Sequence, residues 1–245
     1  MLLYKYYPCD ENTFKSLASR GLWAHRATAM NDPFECMVDI NIEYGDDEFE
    51  ELRRYINESP TLSSNDHLKN IAASEENRVP VNEVLGKIRK HAISEYAFCA
   101  LSEIPDNILM WSHYANGHSG IVVGIDFPDD ASGHLHKVEY TESPRGLNLK
   151  EWADFVAESE QEGVTRMLSN ISVKGKVWEY EREWRIWRKE PMYYHYEWNQ
   201  VKEVYFGVGC SDETKRIVAK LFDEVDSDTV FHFMEAKYEP LRLGS

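Results

Sequence analysis

The sequence is short of basic charge, of paired cysteines and of long apolar runs. Lys and Arg number 27 against 43 Asp and Glu, a net charge of −16. Such a chain gains nothing from long-range attraction to phosphate backbones, which leaves nucleic-acid contact to a local basic patch. Four cysteines, Cys9, Cys36, Cys99 and Cys210, are scattered with no C-x-x-C pair. Neither a zinc knuckle nor a dense disulfide framework is suggested. No segment approaches the roughly 18 apolar residues of a membrane span, and the first residues lack the charged-then-apolar layout of a signal peptide. The expectation is a reduced, cytoplasmic protein with no membrane partner. The P-loop, the G-x-G-x-x-G fingerprint and the G-x-S-x-G elbow are all missing, which removes P-loop hydrolysis, a Rossmann nucleotide site and a serine-hydrolase mechanism.

The chain does have enough apolar content, 42% over 245 residues, for a sizeable core. Leu2 to Tyr7 reads as a strand, Asn12 to Arg20 as a helix stopped by Gly21, and Leu22 to His25 as a second strand. A polar, acidic stretch from about 46 to 93 reads as a helical insertion, with helices at Glu48 to Ile56 and Val81 to Ile93. Strands resume at Tyr96 to Ser102 and Gly120 to Phe127 around a short helix, Asn107 to Tyr114. Further strands are expected at Lys137 to Tyr140, Glu183 to Arg188, Val201 to Gly207 and Phe231 to Ala236. Helices are expected over Leu149 to Ser172 and, N-capped by Ser211, over Ser211 to Phe222. This order predicts one α+β domain over residues 1–245.

Three constellations could carry chemistry. In Trp178-Glu179-Tyr180-Glu181-Arg182-Glu183-Trp184-Arg185, side chains two apart share a strand face, so Glu181, Glu183, Arg185 and Trp187 would line one side of an extended segment, able to hold a sugar hydroxyl and stabilise positive charge. An exposed strand of alternating charge has the same pattern, and the surrounding basic run from Lys174 to Lys189 reads as a solvated strand face. Met110-Trp111-Ser112-His113-Tyr114 offers aromatic surface for a flat ring, although Trp111 and Tyr114 would equally serve as core. His113 and His118 are five apart, off the helical spacing for zinc, and no metal is expected. Asn31-Asp32-Pro33-Phe34-Glu35 is turn chemistry in which Asn31 and Asp32 could orient a ribose.

Taken in order, Tyr4-Lys5-Tyr6, Gly21-Leu22-Trp23, Asn31 to Glu35, Phe98 to Ser102, Met110-Trp111-x-x-Tyr114, Gly120 and Glu181-x-Glu183-Trp184-Arg185 resemble a bacterial family defined as domain of unknown function 2971, over nearly the whole chain outside the insertion. That family in turn resembles the ADP-ribosyltransferases, which implies a mixed, largely antiparallel β core with flanking helices and NAD as substrate. By position, the resemblance gives the NAD-holding first strand to Tyr4, Lys5 and Tyr6, the nicotinamide pocket to Ser102, Trp111 and Tyr114 with His113 beside them, the ribose 2′-hydroxyl to Glu183 and the acceptor to Glu181. Arg185 would pair with a carboxylate or a diphosphate. The chain departs from the pattern in having no Arg or His on the first strand and in following Ser102 with Glu103. The implied function is ADP-ribosyl transfer to a protein or nucleic acid by a toxin or phage-defence effector, whose partners would include an antitoxin or a second copy of itself. A non-catalytic nucleotide-sensing or protein-interaction module and a carboxylate-dependent NAD glycohydrolase or nucleosidase are the alternatives.

Overall fold

The computed structural model describes residues 1–30, 36, 38–39, 44–73, 94–128, 135–142, 145–146, 149–158, 160–223 and 228–235. In chain order the elements are β1 (Leu2–Tyr7), α1 (Glu11–Ala18), β2 (Gly21–Trp23), β3 (His25–Arg26), β4 (Val38–Asp39), α2 (Asp46–Glu58), α3 (Pro60–Ser63), α4 (Asp66–Ala73), β5 (Ala97–Ser102), α5 (Ile108–Tyr114), β6 (Ile121–Asp126), β7 (Leu135–Lys137), β8 (Glu139–Thr141), β9 (Arg145–Gly146), α6 (Leu149–Ala157), α7 (Glu160–Ile171), β10 (Val173–Gly175), β11 (Glu183–Arg188), β12 (Tyr193–His195), β13 (Val201–Phe206), α8 (Asp212–Asp223) and β14 (Val230–Phe233). The fold is therefore mixed α+β.

Eight strands form the main sheet in the order β14-β13-β6-β1-β5-β11-β7, with β3 also on β5. All its pairings are antiparallel except β13 with β14. Period-2 alternation divides its side chains between two faces. Leu3 and Tyr7 of β1, Cys99 and Leu101 of β5, Ile121, Val123 and Ile125 of β6 and Ile186 of β11 join Leu17 of α1 and Val218 and Phe222 of α8 in one core. The opposite face carries Tyr4, Tyr6 and Val122 packed with Met110 and Trp111 of α5. Farther along it, Phe98 and Trp187 pack with Leu168 and Ile171 of α7.

Local signals explain most helix ends. The Asp10 carboxylate accepts the Thr13 amide at 2.8 Å, the Asn107 side-chain carbonyl accepts the Leu109 amide at 2.9 Å, and the Ser211 hydroxyl caps α8 by accepting the Thr214 amide at 3.1 Å. Gly21 does not stop α1. Arg20 does, at φ 52, while Gly21 opens β2 because the Tyr193 ring lies over it, and an added Cβ would sit 2.6 Å from Tyr193 Cδ1. The expected strand over Lys137 to Tyr140 is two strands in different sheets, β7 on β11 and β8 on β10. The helix expected over Leu149 to Ser172 is likewise divided, into α6 and α7. In the polar stretch, α2, α3 and α4 do not cover the sheet; they share a separate core with α6, built on Phe49, Leu52, Ile56, Leu68, Leu149 and Trp152. The expected helix at 81–93 lies outside the described residues.

Gly120, at the entry to β6, is a position that only glycine can fill. A Cβ there would lie 2.0 Å from the Tyr7 carbonyl oxygen, so the strand could not close on β1. Gly117, at φ 57, has nothing within 4 Å of such a Cβ. Gly120→Ala is therefore expected to destabilise the fold by at least roughly 1–3 kcal/mol through overpacking, against about 1 kcal/mol for Gly117→Ala from backbone conformation alone. Urea midpoints of the two variants measured side by side check this ordering.

Candidate active site

Strands β1 and β5 pair at one position only, Tyr4 opposite Ser102. Beyond it the sheet opens, and Lys5 reaches into the gap to donate to the Ala100 carbonyl at 3.0 Å. A cavity of about 300 Å³ lies along this opening, lined by Tyr4, Lys5, Tyr6, Phe98, Ala100 and Ser102 from the strands, Met110 and Tyr114 from α5, and Lys174, Trp178, Glu181 and Glu183 opposite. Its size is at the lower end for small-molecule pockets, and its aromatic walls with a few convergent polar groups are typical of them.

The polar wall is an ion cluster. Lys174, on β10, donates to Glu181 Oε2 at 2.5 Å and to Glu183 Oε2 at 3.0 Å. Arg185 Nε donates to Glu183 Oε1 at 2.8 Å, and the Tyr114 hydroxyl donates to Glu181 Oε1 at 2.6 Å. All four charged groups are buried, Arg185 completely. The Lys174 ammonium also stands 5.2 Å from the Trp178 ring centre, and the Arg185 guanidinium 4.4 Å from that of Phe98. Two anions and two cations balance, which is what makes their burial tolerable.

The two carboxyls are nevertheless driven apart. Burial raises the pKa of Glu181, and the opposing Lys174 charge and the hydrogen bonds from Lys174 and Tyr114 only partly offset it. Burial works the same way on Glu183, but the Arg185 and Lys174 charges outweigh it and hold this carboxyl down at about 2. Burial and the adjacent Glu181 charge raise the Tyr114 pKa, keeping its phenol a donor. Paired carboxyls pushed in opposite directions are the usual mark of an acid and a base with separate roles.

Backbone geometry aims the pair. The segment is not extended throughout: Lys176–Glu181 is a 3₁₀ turn, Arg182 is left-handed at φ 45 and only then does β11 begin. The kink brings both carboxyls onto one ammonium. Ser102 fixes it, its hydroxyl donating to the Glu181 carbonyl at 2.6 Å and accepting the Ile104 amide at 3.1 Å.

Of the residues singled out from sequence, Tyr4, Lys5, Tyr6, Ser102, Tyr114, Glu181 and Glu183 line this cavity. Ser102, however, is fully buried and spends its hydroxyl on the backbone. Arg185 lies behind Glu183. Trp111 is not part of the wall: it is buried against Tyr6 with its indole N–H donating to Pro105. His113 is exposed on the outer side of α5, 6.4 Å from Trp178. Asn31 and Asp32 lie outside the described residues. Phe98, Met110, Lys174 and Trp178 were given no role in the site, and the reading of the basic run as a solvated face is wrong for Lys174, buried between the acids, and for Arg185, buried behind Glu183. A signal existed, because two buried glutamates demand two cations, but the partner lies seven and nine residues away on another element. Among the described residues no group of three or more His, Cys, Asp or Glu could hold a metal ion, and no helix is long and apolar enough to cross a membrane.

Lys174→Met would leave both acids facing one another with only Arg185 to compensate, and is expected to cost roughly 3–5 kcal/mol at neutral pH. Because the Glu183 pKa is depressed, its contribution to wild-type stability is complete above the unfolded value near 4.5 and is lost as pH falls toward about 2. Denaturation of both proteins from pH 7 to 2 tests this, the penalty of the substitution shrinking as the carboxyls protonate.

Comparison of the chain with curated proteins and with solved structures gives no match. Residues 110–186, from Met110 of α5 to Ile186 of β11, match the model of a family described as a protein of unknown function, DUF2971. The matched stretch contains Tyr114, Lys174, Glu181, Glu183 and Arg185, and thus the whole ion cluster, whereas β1 and residues 31–35 lie outside it.

Proposed function

We propose that this cavity binds the nicotinamide-ribose half of NAD and that the protein is an ADP-ribosyltransferase-like enzyme. The observation that carries the reading is the pair of buried carboxyls with opposite pKa displacements in the wall of an aromatic cleft. Breaking the N-glycosidic bond sends its electron pair to nicotinamide and leaves positive charge on the ribose. A carboxylate that stays ionised, as Glu183 does, stabilises that charge in the transition state more than in the ground state. The carboxyl with the raised pKa, Glu181, has the affinity to take the acceptor's proton as its lone pair closes on the anomeric carbon. Tyr114 orients Glu181, and Tyr6, Phe98 and Trp178 supply flat surface for the leaving ring. Support from the split between β1 and β5 is topological: it gives the cavity an opening between two halves of one sheet. A cytoplasmic toxin or phage-defence role for such an enzyme belongs to the same proposal.

Incubating the purified protein with NAD and a cell lysate, and following free nicotinamide and transferred label, tests the reading. Wild type is expected to release nicotinamide, and Glu183→Gln to lower the rate by about 10²- to 10³-fold, the loss typical of one transition-state-stabilising group. Label on macromolecules identifies a transferase, and free ADP-ribose a glycohydrolase. No release from folded wild type would leave a binding module without turnover.

A further inference from the structure

A second phenol stands behind the acid pair. Strand β7 runs along β11 as far as Lys137, opposite Trp184, and the Val138 amide still donates to the Glu183 carbonyl at 3.0 Å. In a continued antiparallel ladder the Glu183 amide would return that bond to the Val138 carbonyl. The chain has by then left β11: the Glu139 amide donates to the Ser172 carbonyl at 2.9 Å, and β8 runs parallel to β10. The Glu183 amide donates instead to the Tyr140 hydroxyl oxygen, at 2.7 Å. A side chain has taken the place of a ladder partner at the first residue of β11.

Tyr140 is tied to the rest of the cluster as well. It is the register partner of Lys174, and residues paired in this way project from the same face. Burial raises its pKa most; the hydrogen bond from the Glu183 amide lowers it, the Glu183 and Glu181 charges raise it, and the Lys174 charge lowers it. The hydroxyl therefore stays protonated in the field of all three charges. Tyr140 is not among the residues that line the cavity, so it acts on the acids and not on a ligand.

Glu183 is consequently held from both ends. Its carboxylate meets Lys174 through Oε2 and Arg185 through Oε1, with Glu181 and Tyr114 also within electrostatic range, while its amide is pinned by the strand neighbour of that same lysine. Without the phenol oxygen the amide must find another acceptor or go unpaired. Either outcome moves the start of β11, where Glu183 stands.

We propose that Tyr140 is a positioning residue for the two acids: by accepting the Glu183 amide, its hydroxyl oxygen fixes the Glu183 carboxylate between Lys174 and Arg185. The consequence for turnover rests on the NAD reading given above; the consequence for the carboxyl does not.

Two measurements on the full chain test it. With glutamate isotope-labelled at the side-chain carboxyl carbon, the Glu183 resonance is followed as pH falls through the range in which the protein stays folded. Arg185 and Lys174 hold this carboxyl down at about 2 in wild type. Loosening those contacts raises it, so in Tyr140→Phe the resonance should begin to move at higher pH. In nicotinamide release the same variant should lower kcat by roughly 10- to 100-fold, the order of loss from misplacing a reacting group by about 1 Å, with KM nearly unchanged because ground-state binding is made elsewhere in the cavity. Replacement of Tyr140 by para-aminophenylalanine, which fills the hydroxyl's space but accepts poorly, should reproduce both effects, and it serves alone if Tyr140→Phe does not fold. An unshifted Glu183 titration, an unchanged kcat in an active enzyme, or wild-type behaviour of the amino variant overturns the proposal. If wild type releases no nicotinamide, the NAD reading falls and the titration alone decides the role of Tyr140.

Discussion

Everything at this site turns on one ammonium group. Lys174 touches both Glu181 and Glu183, and without it two carboxylates would face each other in a wall from which water is largely excluded. The cost of burying an unpaired ion is several kcal/mol even after relaxation, so the cluster can exist only as a neutral set. Adding Arg185 to Glu183 but not to Glu181 breaks the symmetry of that set. One acid is over-compensated and stays ionised; the other shares its cation and is left with a phenol. The chemical division of labour proposed for the two carboxyls is therefore a product of where two basic side chains happen to reach.

That arrangement depends in turn on the end of β5. Ser102 is opposite Tyr4 on one side and opposite Glu183 on the other, so it marks both the strand pairing between the sheet's halves and the start of β11. Its hydroxyl fixes the Glu181 carbonyl, and Arg182, held left-handed, turns the chain between the two acids. A non-glycine residue at positive φ is tolerated where its surroundings over-determine it, and here the Arg182 carbonyl accepts from Glu103 at 3.1 Å while its own amide donates to Glu179 at 3.2 Å. The opening of the cavity and the aim of its carboxyls are one construction.

The sequence made the strands legible where burial is simple. Ile121 to Asp126 is apolar because both faces of β6 are covered, and Leu2 to Tyr7 is aromatic on the face toward α5 and aliphatic at Leu3 on the other. The Glu-x-Glu pair was visible only as one of several in an acidic chain, in a segment where Glu and Arg are interleaved with Trp. What escaped was whatever depended on direction within an element. Trp111 and Tyr114 look equivalent at a spacing of three, yet Met110 and Tyr114, four apart, share the face that looks into the cavity, and Trp111 turns toward Tyr6. Ser102 was visible as a hydroxyl at a strand end, but whether it meets ligand or backbone is decided by a turn 79 residues later in the chain.

Lys174 was hidden for a deeper reason. A lysine between Val173 and Gly175 looks like any solvated strand residue, and only the fold supplies the anions that change its meaning. The inference could have been run in reverse. If Glu181 and Glu183 both face a cleft lined with Tyr, Phe and Trp, charge balance requires at least two cations, and Arg185 on the same strand face provides one. The second must come from a neighbouring element short enough in connection to lie against β11, and β10, joined to it by a single 3₁₀ turn, carries one lysine directed at the cavity. Charge neutrality of a buried set is thus a constraint that can be applied before any coordinates exist, and in this chain it would have singled out the residue on which the site rests.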